Sequence, residues 1–184
     1  MSDKRDEILK IGEDLLRQNG YNAFSYNDIS RPLGIKNAAI HYYFPKKSDL
    51  GVSIIHRNLQ AVNDLDSKYA SSSALARLKA FMNVYVESYK NNKVCLVGAL
   101  AAELYSLEED VQRELKIMVK DTLAALTNIL AEGRKNGEFV FNETPRTKAL
   151  LIITNMLAAL QLSRITGEDD FSIIEKAILK SLKG

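Results

Sequence analysis

Cysteine occurs once in these 184 residues, tryptophan never, proline three times and histidine twice. A single thiol, Cys95, makes neither an internal disulfide nor a cysteine-based zinc site. His41 and His56 have no carboxylate or second histidine at metal-ligand spacing, and no glycine-rich phosphate loop follows a strand pattern. Nothing therefore reads as a catalytic residue, a metal site or a cofactor site, and an enzyme is not expected. Scarce proline and only nine glycines disfavour an all-β fold and suit helices. The longest apolar run, Ala149–Leu162, is short for a bilayer and is interrupted by Thr154, Asn155 and Gln161. The segment MSDKRDEILK is charged and carries no apolar signal core, so a cytoplasmic protein without a membrane partner is expected.

The net charge is only +2, but it is unevenly placed. Between Arg31 and Arg57 five basic residues (Arg31, Lys36, Lys46, Lys47, Arg57) face one acid, Asp49, whereas from residue 58 onward 16 basic residues meet 16 acidic ones. A local positive excess of this kind points to a polyanion such as nucleic acid.

The apolar spacing predicts about nine helices and no strand, an all-α chain. Asp6–Asn19 reads as a helix stopped by Gly20. Ser25 with Asp28 three residues on reads as a capped start for a helix to about Leu33, then Gly34 as a turn, a short helix over Asn37–Phe44 ended by Pro45, and a long helix from Lys47 or Ser48 to about Ser67. After Ser71–Ser73 comes a helix with Leu78, Phe81, Met82, Tyr85 and Tyr89 on one face, then punctuation at Asn91-Asn92. Val94–Leu107 is apolar nearly all round and predicts a central buried helix. Glu108–Gly137 predicts another long helix, Thr144-Pro145 opens one that is almost wholly apolar to Leu162, Gly167 breaks it, and Asp170–Leu182 closes the chain. A helix apolar on every face must be covered on every face. The last two helices are therefore expected to form a homodimer interface through Ile153, Leu157, Leu160, Ile174 and Ile178.

Residues 25–50, SYNDISRPLGIKNAAIHYYFPKKSDL, combine two short helices, a glycine turn and a basic exit. This is a helix-turn-helix pattern, in which the start of the second helix meets base edges in the major groove. Asn37 suits a base edge, Ala38 and Ala39 permit close approach, and His41 lies one turn later. Lys36, Tyr43 and Lys47 are placed for phosphates. Ile29, Leu33, Ile35, Ile40 and Phe44 supply the small core beneath, and packing is an alternative role for Tyr42 and Tyr43.

The run resembles the DNA-binding domain of the TetR/AcrR family of bacterial transcriptional regulators. The resemblance begins at Ile8, continues through GYNAFSYNDIS and is strongest over LGIKNAAIHYYFPKKSDL, where Gly34, Ile40, Tyr43, Phe44, Lys47 and Leu50 fall on the family pattern. It implies a helix-turn-helix domain over residues 1–50 and a ligand-binding and dimerisation domain over 51–184. It also implies a homodimeric repressor, released from a palindromic double-stranded operator by a small-molecule effector. Carried over by position, base contacts fall on Asn27, Asn37, Ala38 and His41, and phosphate contacts on Ser25, Tyr26, Lys36, Tyr43 and Lys47. Ala39 stands where many relatives have Ser or Thr, His41 replaces a common Tyr, and Pro32 is expected to kink or shorten its helix. The competing reading is a helical ligand-binding or interaction protein with a degenerate DNA reader.

For the control region, Phe81, Tyr85, Tyr89, Cys95, Leu100, Met118 and Met156 are candidates to line an apolar effector pocket, against the alternative of a plain bundle core. Glu103, Asn155 and Gln161 lie in apolar surroundings and read as pocket polar groups or satisfied core contacts. VCLVGALAAELYSLEEDV resembles a family branch in which Cys-Leu opens a helix and Ala-Glu-x-x-x-Leu follows. In some members of that branch the cysteine senses electrophiles or oxidants. The alternative for Cys95 is a small buried hydrophobe.

Overall fold

The structure is a computed structural model that describes residues 4–69 and 71–183, with the backbone alone at 65 and 66. The first three residues of the charged N-terminal segment lie outside the described residues. Among those described there are nine α-helices and no strand: α1 (Lys4–Asn19), α2 (Tyr26–Leu33), α3 (Asn37–Tyr43), α4 (Lys47–Lys68), α5 (Ala74–Lys90), α6 (Leu96–Ala102), α7 (Glu109–Lys135), α8 (Pro145–Thr166) and α9 (Asp170–Lys180). A 3₁₀ turn, Leu104–Ser106, follows α6, and a lone parallel bridge pairs Val140 with Lys183.

The chain forms two compact units. The first takes the residues up to Leu59 together with Leu96–Met118, so a segment distant in sequence packs with the helix-turn-helix region. Its core is built from Ile8, Leu9 and Leu16 of α1, Ile29 of α2, Ile40 of α3 and Leu50, Ile54 and Ile55 of α4, with Leu100, Leu107 and Val111 from the distant segment. The second unit takes Gln60–Cys95 and Val119 onward. There α5 buries Leu78, Phe81, Met82 and Tyr85, α7 buries Leu126, Ile129 and Leu130, and α8 buries Ile152, Met156, Ala159 and Leu160.

Local signals act where expected. Thr144 accepts the Thr147 N–H with its side chain at 3.1 Å and Pro145 opens α8, whose end is marked by Gly167 at φ 72°. Ser163 Oγ of α8 then accepts the Phe171 N–H at 2.9 Å and pins the corner into α9.

Two expectations need correction. Val94–Leu107 is not one buried helix: α6 spans seven residues, Glu103 leaves helical geometry at φ −110°, ψ 13°, and Tyr105 is 97% exposed. The small side chains of Ala101 and Ala102 are exposed, so apolar composition there does not mean burial. Nor do all the expected interface residues face outward: Leu160 and Ile178 are buried inside the protomer, while α8 keeps the uncovered outer side that the homodimer expectation requires. Leu150, Leu151, Leu162 and Ile165 are exposed, with Ile165 at 82%. Asn155 and Gln161 also lie on the exposed side, and Asn155 Nδ2 donates back to the Leu151 carbonyl at 2.6 Å. At 22 residues α8 is long and apolar enough to cross a bilayer, more so than Ala149–Leu162 alone suggests, but its inner face is engaged with the unit's core.

Candidate nucleic-acid interface

The helix-turn-helix is assembled by short-range hydrogen bonds. The Asp28 carboxylate accepts the Ser25 N–H and the Ser25 hydroxyl, both at 2.8 Å, which starts α2 and holds the Asp28 carboxyl below its usual range. At the other end Gly34 sits at φ 61°. Its N–H donates to the Arg31 carbonyl at 3.2 Å and the Ile35 N–H to the Ser30 carbonyl at 3.1 Å, the two-bond stop that a left-handed residue permits. Pro32 has no N–H to give, yet α2 runs through Leu33 and the turn closes.

Beyond the turn, α3 shows two neighbouring stripes to the outside. Asn37, Ala38, His41 and Tyr42 are exposed, at i, i+1, i+4 and i+5 on the helix, while Ile40 is fully buried beneath. Phe44, just past the helix, is buried with it and carries the Arg5 guanidinium 5.0 Å from its ring centre. The His41 ring lies edge-on to Tyr26 at 4.8 Å. Its Nδ1 is 3.1 Å from the Pro45 carbonyl oxygen, which can only accept, so Nδ1 is the donor. Lys36 is exposed at the start of α3, Asn27 is exposed on α2, Ser25 is exposed with its hydroxyl donated to Asp28, and Ala39 and Tyr43 are half-buried.

Two residues expected at phosphates turn inward in the protomer. Tyr26 is buried, and its hydroxyl lies 2.7 Å from the carbonyl oxygens of both Phe44 and Lys46, so its single proton is shared inward. Burial pushes that hydroxyl's pKa well up, with Asp49 adding to the effect. Lys47 is half-buried. Its ammonium donates to the Phe24 carbonyl and lies 4.2 Å from the Phe24 ring centre and 4.8 Å from that of Tyr21. Burial lowers the Lys47 pKa, opposed by Glu108 and Glu103. Arg57 is also engaged, pairing with Glu13, which Arg17 contacts at 3.2 Å. The positive charge that remains exposed in this stretch sits on Arg31, Lys36 and Lys46. Tyr42, at 81% exposure, is a surface residue that residue type alone left undecided; its spacing of four from Ala38 was the available signal.

The family model described as "Bacterial regulatory proteins, tetR family" matches residues 8–53, and that described as "Tetracyclin repressor-like, C-terminal domain" matches residues 74–173. The chain belongs to the TetR family. It is a transcriptional regulator with the family's N-terminal helix-turn-helix and helical C-terminal region, not an enzyme. A TetR transcriptional regulator from Legionella pneumophila is 31% identical and superposes with a TM-score of 0.88, covering 100% of this chain and 99% of that one. The HTH-type transcriptional repressor NemR of Escherichia coli is 23% identical over 96% of this chain and 90% of its own length. The HTH-type transcriptional repressor DhaR of a Mycobacterium species is 20% identical over 96% and 93%.

The seven expected pocket residues of this TetR-family chain do not share one environment. Leu100 and Met118 are core residues of the first unit. In the second unit Met156 is fully buried, and Tyr89 is used at the α8–α9 corner, its ring stacked 4.7 Å from Phe171 and its hydroxyl donating to Asp169 at 2.9 Å. Tyr85 and Cys95 are buried, and burial pushes the Tyr85 hydroxyl's pKa up. Among the described residues Phe81 lines a narrow, partly open cleft of about 20 Å³ together with Val62, Tyr69, Arg77, Ala80, Val84, Ala125 and Ile129. Glu103 is satisfied within the first unit, where its half-buried carboxylate reaches the loop after α1.

Proposed function

We propose that this chain is a homodimeric, cytoplasmic repressor that binds a palindromic double-stranded DNA operator and releases it when a small molecule occupies the second unit. The observation that carries the reading is the exposed first turn of α3, where Asn37, Ala38 and His41 stand together above a closed glycine turn. Their chemistry suits base edges, with Asn37 matching adenine's donor and acceptor pair. Asn27 extends this set, and Ser25, Lys36 and Tyr43 are the phosphate partners we retain. That two relatives carry the name repressor supports the sign of regulation. A second copy covering the exposed Leu151, Leu162 and Ile165 of α8 and Ile173 of α9 would supply the second reader that a palindrome needs. The Phe81 cleft is the effector site this reading selects; its lining of Val62, Val84, Ala125 and Ile129 with two aromatic rings suits a small, mostly apolar ligand.

The test is DNA binding by the purified chain. Asn37→Ala should relax preference at one operator position by about 1–3 kcal/mol, leaving other positions unchanged. Binding that ignores sequence at moderate salt sinks the operator reading.

A further inference from the structure

The Ala-Glu-x-x-x-Leu element at Ala102–Leu107 has no place in the reader or the effector cleft. The structure gives it one. The Glu103 carboxylate accepts two backbone amides from the loop after α1, Tyr21 N–H and Asn22 N–H, each at 2.8 Å. Leu107, the other end of the element, is buried in the same unit. Three further features converge there. Asn22 Nδ2 donates to Ser106 Oγ at 2.7 Å, the Tyr21 hydroxyl donates to Glu108 at 2.9 Å, and Gly20 stands at φ 102° with no room for a side chain, because an added methyl group would collide with the Glu103 carboxylate. The loop so held leads directly to Ser25 and the start of α2, and its Tyr21 and Phe24 rings receive the Lys47 ammonium at the start of α4.

We propose that Glu103 is a positioning residue for DNA binding: its two-amide grip on the Gly20–Asn22 loop sets how the reader is presented, and so how well operator is told from other DNA. A carboxylate satisfies both N–H donors; an amide side chain has one acceptor oxygen and would turn N–H against N–H.

The inference rests on the DNA-binding reading above, and the test separates the two. The full-length wild-type chain is used to select a duplex from a random library, and affinities are then measured for that duplex and a scrambled one. Glu103→Gln should weaken the selected duplex about tenfold, as loss of one charge-assisted hydrogen bond does, while the scrambled duplex, bound through phosphates, shifts less than about twofold with an unchanged salt slope. Gly20→Ala should give the same phenotype, and the two changes together should cost less than their sum. Hydrogen exchange should rise at Tyr21 and Asn22 and stay unchanged in α8 and α9. Wild-type affinity of Glu103→Gln for the selected duplex overturns the inference, as does equal weakening of both duplexes. If Glu103→Gln does not fold, Ser106→Ala reads the same loop from its exposed edge and should lower discrimination about threefold; no loss there overturns the proposal. If the wild-type chain enriches no duplex, the DNA-binding reading itself falls and takes this one with it.

Discussion

The Lys47 ammonium lies 4.2 Å from the centre of the Phe24 ring and donates to the Phe24 carbonyl, so the first residue of α4 is tied to the loop that precedes α2. A lysine held in this way is expected to stabilise the reader rather than to grip a phosphate. Lys47→Ala should lower unfolding stability by about 0.5–2 kcal/mol and leave the slope of log affinity against log salt unchanged. Lys36→Ala, at an exposed position, should do the reverse: no change in stability and a slope reduced by about one. Salt titrations of both variants decide it; a reduced slope for Lys47→Ala would return that residue to the phosphate set.

Tyr26 makes the companion tie. Its hydroxyl serves the Phe44 and Lys46 carbonyls, 18 and 20 residues away. Tyr26→Phe should cost about 1–3 kcal/mol in urea unfolding, because two buried or part-buried acceptors lose their donor. A variant as stable as the wild type would mean that water replaces the hydroxyl.

A pH dependence follows from Glu138. Its carboxylate accepts the Ala74 and Leu75 N–H groups at 3.0 and 3.1 Å, and these bonds at the start of α5 hold its pKa below the ordinary glutamate value. A folded-state pKa below the unfolded one means stabilisation that is present above the unfolded pKa and lost as pH falls through the folded value. Wild type should therefore exceed Glu138→Gln in stability at neutral pH, with the gap closing in acid below about pH 4. Chemical denaturation of both chains at several pH values measures the gap; a constant gap removes the ionised carboxylate as its source.

The two faces of α8 should separate in mutagenesis. Ile165 is 82% exposed, whereas Leu160 is 1% exposed inside the protomer. Leu151→Lys with Ile165→Lys should leave a folded monomer in sedimentation experiments, because the charges would be desolvated against a second copy. Leu160→Ala should instead cost about 2–5 kcal/mol of protomer stability by opening a cavity. Ile178, also buried, should follow Leu160. An unchanged sedimentation coefficient for the double lysine variant would place any dimer contact elsewhere.

Much of the fold was legible in sequence because its punctuation is local. Ser25 with Asp28, Gly34, Pro45, Thr144-Pro145 and Gly167 each act through dihedral preferences or hydrogen bonds that reach three to five residues, and the helices they bound appear within a residue or two of where spacing puts them. The outward set of α3 was legible for the same reason: Asn37, Ala38 and His41 share a helical face, and Ile40 lies off that face on the buried side.

What local pattern could not decide was where long or amphipathic side chains turn. Tyr26 and Lys47 have the composition of surface residues that meet phosphate, and only the arrival of Phe44, Lys46 and Phe24 from elsewhere in the chain supplies the carbonyls and rings that draw them inward. The apolar stretch after Val94 reads as one buried helix until Glu103, 82 residues from Tyr21, breaks it to satisfy two loop amides. Apolar periodicity likewise says that α8 needs cover on all sides but not from which partner, and the packing of Ile152, Met156 and Leu160 leaves Leu151, Leu162 and Ile165 as the uncovered side. Most of the helices, their caps and the helix-turn-helix can be read from the amino-acid order, since those follow from interactions a few residues long. The tertiary structure alone decided which of the expected contacts face outward, since that depends on partners brought together only when the chain is folded.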